Sequence, residues 1–201
     1  MTQVASEVDG RAQRSARSRE AVVDAMLDLL EEGSLRPGAA EIAARARVSV
    51  RTVFRHFEDL EQLFATATAH QAMRIGPLLL SEPPLGSRVD RVEALVRHRA
   101  DLYERIGPVR RAALRHEPFH QAVHEGLAQA RRLLRRDLLG TFGPELEQLD
   151  GADRATIVAA LEAATSFATW DNLRVEQRLS VPQARAALTT IVVALLEHST
   201  P

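Results

Sequence analysis

The stretch from Glu41 to Phe57 constrains the fold of this chain more than any other. Ala40 to Ala46 has the composition of a short helix. Val48-Ser49 opens another, which ends near Phe57. Two helices so close in sequence must cross at a steep angle. Ile42, Ala46, Val48, Val53 and Phe57 then fall where they pack between those helices and a preceding one, and the small Ala43 allows close approach. Ser49 is placed to cap the second helix, its hydroxyl accepting from the backbone N–H near Thr52. Val50, Arg51, Thr52, Phe54, Arg55 and His56 are left on the outer face.

The surrounding sequence is helical throughout. Val22, Val23, Met26, Leu27, Leu29 and Leu30 recur at spacings of three and four, which predicts a helix over Ser15–Glu32 with Gly33 as its stop. Residues 1–14 lack periodicity and are expected to form a flexible arm; Arg11, Arg14, Arg17 and Arg19 are available to touch DNA phosphate or the minor groove, against the more ordinary reading of a solvated tail. Arg36-Pro37-Gly38 reads as a turn, and Asp59 can cap a helix from Leu60 to about Ile75. Gly76-Pro77 and Pro83-Pro84-Leu85-Gly86 break the chain. Further helices are expected over Arg88–Ile106, Pro118–Leu139, Asp153 to about Gln177, and Pro182 to about His198, with a loop from Gly140 to Gly151. No β-alternating segment appears. The expected class is all-α: a three-helix unit with a helix-turn-helix over 15–62, then a larger helical domain over 63–201, joined through the fourth helix.

Charge bears on function through its placement. The net charge is −1 over 201 residues, yet between Ile42 and Phe57 the charged residues are Arg45, Arg47, Arg51 and Arg55, with no acid. A local basic face on a near-neutral protein points to phosphate. A short helix with basic, hydroxyl and apolar groups outward also suits insertion into a major groove. The chain has no cysteine, which excludes disulfides and thiolate metal sites. Without a signal-like start or a spanning apolar run, the expectation is a cytoplasmic protein away from the membrane.

The pattern of Ile42, Ala46, Val48, Ser49, Thr52, Phe54, His56 and Phe57, followed by Glu61, Leu63 and Phe64, resembles the DNA-binding domain of the TetR family of bacterial regulators. The likeness covers about residues 15 to 64. Farther on, only Trp170-Asp171, Leu173-Arg174 and Leu179-Ser180 are similar. The resemblance implies that Thr52, Phe54 and His56 stand at DNA-contacting positions, and that Val50, Arg51 and Arg55 are candidates for base or phosphate contact. Arg51 is the first choice for guanine, because a guanidinium can donate to O6 and N7 together. Arg45 and Arg55 are assigned to phosphate and Ser49 to the same interface. It also implies a homodimer on a double-stranded, near-palindromic operator, released by a small-molecule effector, with the repressor role the expected one.

Three positions depart from the family pattern. Arg47 fills a turn position that is usually Gly; if it is left-handed it costs on the order of 1–2 kcal/mol. Phe54 replaces the usual Tyr, so no phenol can bond phosphate. Leu60 stands where a phosphate-binding Lys is common.

For the effector, His98, Tyr103, Phe119, Phe167 and Trp170 are candidate pocket walls: apolar surface with a few polar groups. For each taken alone, plain core packing is the more ordinary role. Ile157, Leu161, Ala164, Thr165 and Ala168, with Leu188, Ile191, Val192, Leu195 and Leu196, form two surfaces that either close the protomer core or pair with a second copy. His116-Glu117-Pro118-Phe119-His120 matches the H-E-x-x-H string of zinc proteases. That chemistry needs both His on one face of a continuous helix, and Pro118 opposes it. No metal, cofactor or catalytic residue is expected. The alternative is a small-molecule-binding or metal-dependent helical protein with a vestigial DNA-binding head.

Overall fold

The computed structural model describes residues 2–79 and 84–197, with side chains from Ala12 onward. Met1, Pro83 of the expected break and His198 at the expected end of the last helix lie outside the described residues, as does the side chain of Arg11. The elements are α1 (Thr2–Glu31), α2 (Ala39–Arg45), α3 (Val50–His56), α4 (Leu60–Ile75), a 3₁₀ turn (Gly76–Leu79), α5 (Arg88–His116), a second 3₁₀ turn (Glu117–Phe119), α6 (Gln121–Thr141), α7 (Gly143–Leu146), α8 (Gly151–Ala164), α9 (Phe167–Asp171) running into a π-helical turn (Asn172–Glu176), and α10 (Val181–Glu197). The described residues contain no strand.

The chain forms two compact units that interleave in sequence. The first runs to Arg74 and takes in Pro108–Leu127. The second comprises Ile75–Gly107 and everything from Ala128 onward. In the first, Val22, Met26, Leu27 and Leu30 of α1, Ile42 of α2, Val53 of α3 and Leu63 of α4 are at most 2% exposed. Val109, Ala112, Ala113, Val123 and Leu127 complete that core. In the second, Val92, Leu95, Val96, Leu102 and Ile106 of α5 pack with Leu138 of α6, Phe142 at the start of α7, Leu161 of α8, and Leu188, Val192 and Leu196 of α10.

Four elements differ from the sequence expectation. α1 is helical from Thr2 rather than from Ser15. α5 does not stop at Ile106 but continues through Pro108 to His116. Proline inside a helix costs about 3 kcal/mol. Here Leu102, Tyr103 and Ile106 are buried on one side of it and Val109, Ala112 and Ala113 on the other. Each large buried side chain contributes roughly 1.5–3 kcal/mol, so burial outweighs the missing hydrogen bond. The Gly140–Gly151 segment is partly helical, since α6 reaches Thr141 and α7 follows. The helix expected over Asp153–Gln177 is broken at Thr165-Ser166. There Ser166 caps α9, its hydroxyl accepting from Thr169 N at 3.2 Å.

Candidate functional site

α2 and α3 are set by local capping on both sides of their turn. Gly38 N donates to the Glu41 carboxylate at 2.7 Å, which closes the start of α2. At the end of α2, Val48 N donates to Ala43 O at 2.9 Å and Arg47 N to Ala44 O at 3.2 Å. This pair of bonds is a Schellman motif, and it requires a left-handed residue at its turn. That residue is Arg47, with φ 55°. α1 ends in the same way at Gly33 (φ 97°), where Ser34 N reaches Leu29 O at 3.0 Å. α3 then starts from Ser49, whose Oγ accepts from Thr52 N at 3.1 Å and shares a hydrogen bond with Thr52 Oγ1 at 2.9 Å. The caps fix the rotation of α3, and Val53 and Phe57 lock it into the core at 0% and 2% exposure.

The outward face follows from that rotation. Val50 is 40% and Phe54 47% exposed, unusual for large apolar side chains. Arg51 and Arg55 are exposed and make no hydrogen bond or ion pair among the described residues. Thr52 is half-buried through its bond to Ser49. His56 turns back to α1, its Nε2 lying 3.2 Å from Ser18 Oγ. Burial, then the charges of Arg55 and Arg19, hold its pKa below the usual histidine value, so near neutral pH the ring is an uncharged hydrogen-bonding group. Arg45 is anchored to α1, with Nη2 2.6 Å from Glu32 Oε2 and Nη1 3.8 Å from Asp28. Both partners are substantially exposed, and exposed pairs contribute at most about 1 kcal/mol. Arg45 is therefore free to exchange Glu32 for a phosphate at small cost. Arg19 lies over the Phe57 ring at 4.8 Å.

In the second unit, Tyr103, Phe167 and Trp170 come together. The Tyr103 and Phe167 rings meet edge-on at 5.6 Å. Tyr103 donates to Thr165 O at 2.8 Å, the carbonyl freed by the break between α8 and α9. Trp170 Nε1 donates to Glu104 at 2.9 Å, and Arg174 grips the same carboxylate through Nε and Nη2 at 2.9 and 3.0 Å. All three aromatic side chains are at most 6% exposed, and each polar tip has a partner in the chain. His98 is half-buried on α5. Phe119 is not part of this group: it belongs to the first unit, on the 3₁₀ turn after α5, and is 80% exposed.

Arg99 is buried although its sequence neighbours do not mark it as a site residue. It lies three residues after Val96 and three before Leu102, inside the apolar stripe of α5, and is 1% exposed. Its Nη2 is 2.8 Å from Leu134 O and 2.9 Å from Asp137 Oδ2 on α6. A charged residue in phase with an apolar stripe was the visible signal.

The H-E-x-x-H string is split by the backbone. His116 ends α5, Glu117–Phe119 form a 3₁₀ turn, and His120 is extended before α6. The two His therefore do not share a helical face. His116 instead stacks on Phe64 at 4.1 Å and on His120 at 5.6 Å.

The first unit thus holds a capped helix-turn-helix whose third helix presents an exposed basic and apolar face, and the second unit is helical. The chain has the fold of the TetR-family regulators. It superposes on the crystal structure of a TetR-family transcriptional regulator from Streptomyces coelicolor with a TM-score of 0.73 at 18% identity, covering 90% of this chain and 81% of that one. A transcriptional regulator from Rhodococcus sp. Rha1 gives 0.66 at 20% identity, covering 92% and 96%. By sequence, no family model and no curated protein matches.

Proposed function

We propose that this chain is a ligand-responsive, DNA-binding transcriptional regulator. It acts as a homodimeric repressor on a near-palindromic operator and is released when a small molecule binds its second unit. The observation that carries the reading is α3: its inner side is locked by Val53 and Phe57, while Arg51, Arg55, Val50 and Phe54 face outward without a partner among the described residues. Arg51 is assigned to a guanine edge. Arg45, Arg55 and the hydroxyls of Ser49 and Thr52 are assigned to backbone contacts, with His56 as a neutral donor or acceptor. In a two-fold dimer the recognition helices enter grooves roughly 34–36 Å apart, or a multiple of that.

For the dimer, Leu188, Val192 and Leu196 are spent on the protomer's own core, which leaves Ile191 at 38% exposure and the exposed Ala159 and Ala163 as the surface to be covered. Among the described residues no helix is long and apolar enough to cross a membrane.

Selection of bound sequences from a random duplex pool at moderate salt tests the reading, and recovery of no common sequence would refute it. Arg51→Ala should lose preference at one base pair, at roughly 1–3 kcal/mol. Arg55→Ala should weaken all duplexes alike and flatten the salt dependence by about one phosphate contact.

A further inference from the structure

Arg99 is an expensive residue for a purely structural purpose. It occupies the centre of the buried stripe of α5, with Val92, Leu95 and Val96 before it and Leu102, Tyr103 and Ile106 after it, all at most 4% exposed. One nitrogen, Nη2, serves both Leu134 O and Asp137. Nε and Nη1 are buried and meet no hydrogen-bond partner among the described residues. Those two atoms carry three of the five guanidinium N–H groups. Next to it, His98 Nε2 is also buried without a partner. Buried donors are almost always matched, and an apolar pair at Arg99 and Asp137 would pack as well or better. The donors therefore have a use outside the chain.

Charge narrows what that use is. Asp137, with its side chain 4% exposed, already balances the guanidinium at 2.9 Å. A second anion would enter a buried site with no cation left to pair it, which is strongly unfavourable. A neutral acceptor oxygen would meet the donors without that cost.

We propose that Arg99, steadied by Asp137 and Leu134, donates to a carbonyl-type oxygen on a neutral, largely apolar small molecule bound between α5 and α6 of the second unit, beside His98. The inference rests on the reading of that unit as the effector-sensing part, and it specifies the chemical class of the effector.

The test titrates the full chain with a series of linear methyl ketones of increasing length and with the carboxylates of the same lengths, followed by thermal unfolding. A ketone of fitting length should raise Tm with the logarithm of its concentration once that exceeds Kd, and its carboxylate counterpart should not. Arg99→Met should weaken the ketone Kd roughly tenfold to hundredfold. Because that variant takes from Asp137 the guanidinium at 2.9 Å, the double variant Arg99→Met/Asp137→Leu is measured beside it; it should fold and still fail to respond. Tighter binding of the carboxylate, a response that persists in the folded double variant, or no response to any ketone would each overturn the proposal. Duplex selection on the same preparation separates the two ideas. DNA binding without a ketone response refutes only the Arg99 site. A ketone response through Arg99 without DNA selection refutes only the regulator reading.

Discussion

Replacing Arg47 by Gly should make the protein more stable, although it removes a charged side chain from the candidate DNA-binding unit. Arg47 is held at φ 55° because the Schellman bonds to Ala43 and Ala44 require it. For a residue with a Cβ this region costs about 1–2 kcal/mol. Glycine escapes that penalty but loses about 0.5–1 kcal/mol more chain entropy on folding. The Arg47 side chain is exposed and makes no hydrogen bond or ion pair among the described residues, so little is lost with it. The net gain is about 0.5–1 kcal/mol, or roughly 1–4 °C in Tm for a chain of this size. Urea and thermal unfolding would read it. Ala46→Gly is the control one position earlier, at φ −74°, where glycine brings only its entropy cost and should destabilise. If Arg47→Gly lowers stability, or if both variants move it in the same direction, the conformational account of this turn is wrong. The same variant titrated with duplex at several salt concentrations reads separately whether the guanidinium meets a phosphate.

Ser49→Ala should cost about 1 kcal/mol through loss of the α3 cap, and Ser49→Asp should restore most of it; equal urea midpoints for all three proteins would contradict the capping role. Tyr103→Phe should cost about 1–3 kcal/mol because it strips the donor from the Thr165 carbonyl, and a change below roughly 0.5 kcal/mol would show that the bond contributes little. Histidine protonation should weaken the fold. Burial, as the largest cause in each case, depresses His98, His116 and His56, so the unfolded chain holds more protons at pH values just below about 6.5. Stability should be level above pH ~7 and fall as pH drops through that value. Glu32 and Asp90 are depressed as well, but from 4.5 and 3.8, so the decline above pH ~5 belongs to histidine. His116→Phe, which keeps an aromatic ring on Phe64, should reduce the slope, and a flat profile between pH 7 and 5 would contradict the argument.

Much of the first unit was legible in the sequence because its determinants are local. The Ser49 cap, the turn at Arg47 and the burial of Ile42, Val53 and Phe57 all follow from spacings of a few residues. What that spacing could not show is that Arg45 and His56 have partners on α1 or just past its end, at Asp28, Glu32 and Ser18. Those partners are close only once the helices have packed.

The second unit was legible as helix but not as a site. Three aromatic candidates, Tyr103, Phe167 and Trp170, do converge, yet their polar tips are taken up by the chain. Phe119 shares only their aromatic character, and the fold places it in the other unit. Arg99, read along the helix, was one more charge; its burial shows only when α6 brings Leu134 and Asp137 against it.

The sequence by itself determined the helical periodicity, the caps and the outward face of α3, since hydrogen bonds over three or four residues and the 3.6-residue repeat are properties of the local chain. Only the tertiary structure decided that α5 continues through Pro108, that the helix expected over Asp153–Gln177 breaks at Thr165-Ser166 to offer Tyr103 a carbonyl, and that Arg99 is buried beside Asp137. Those outcomes are set by burial and pairing between segments tens of residues apart, energies that exist only after the helices meet.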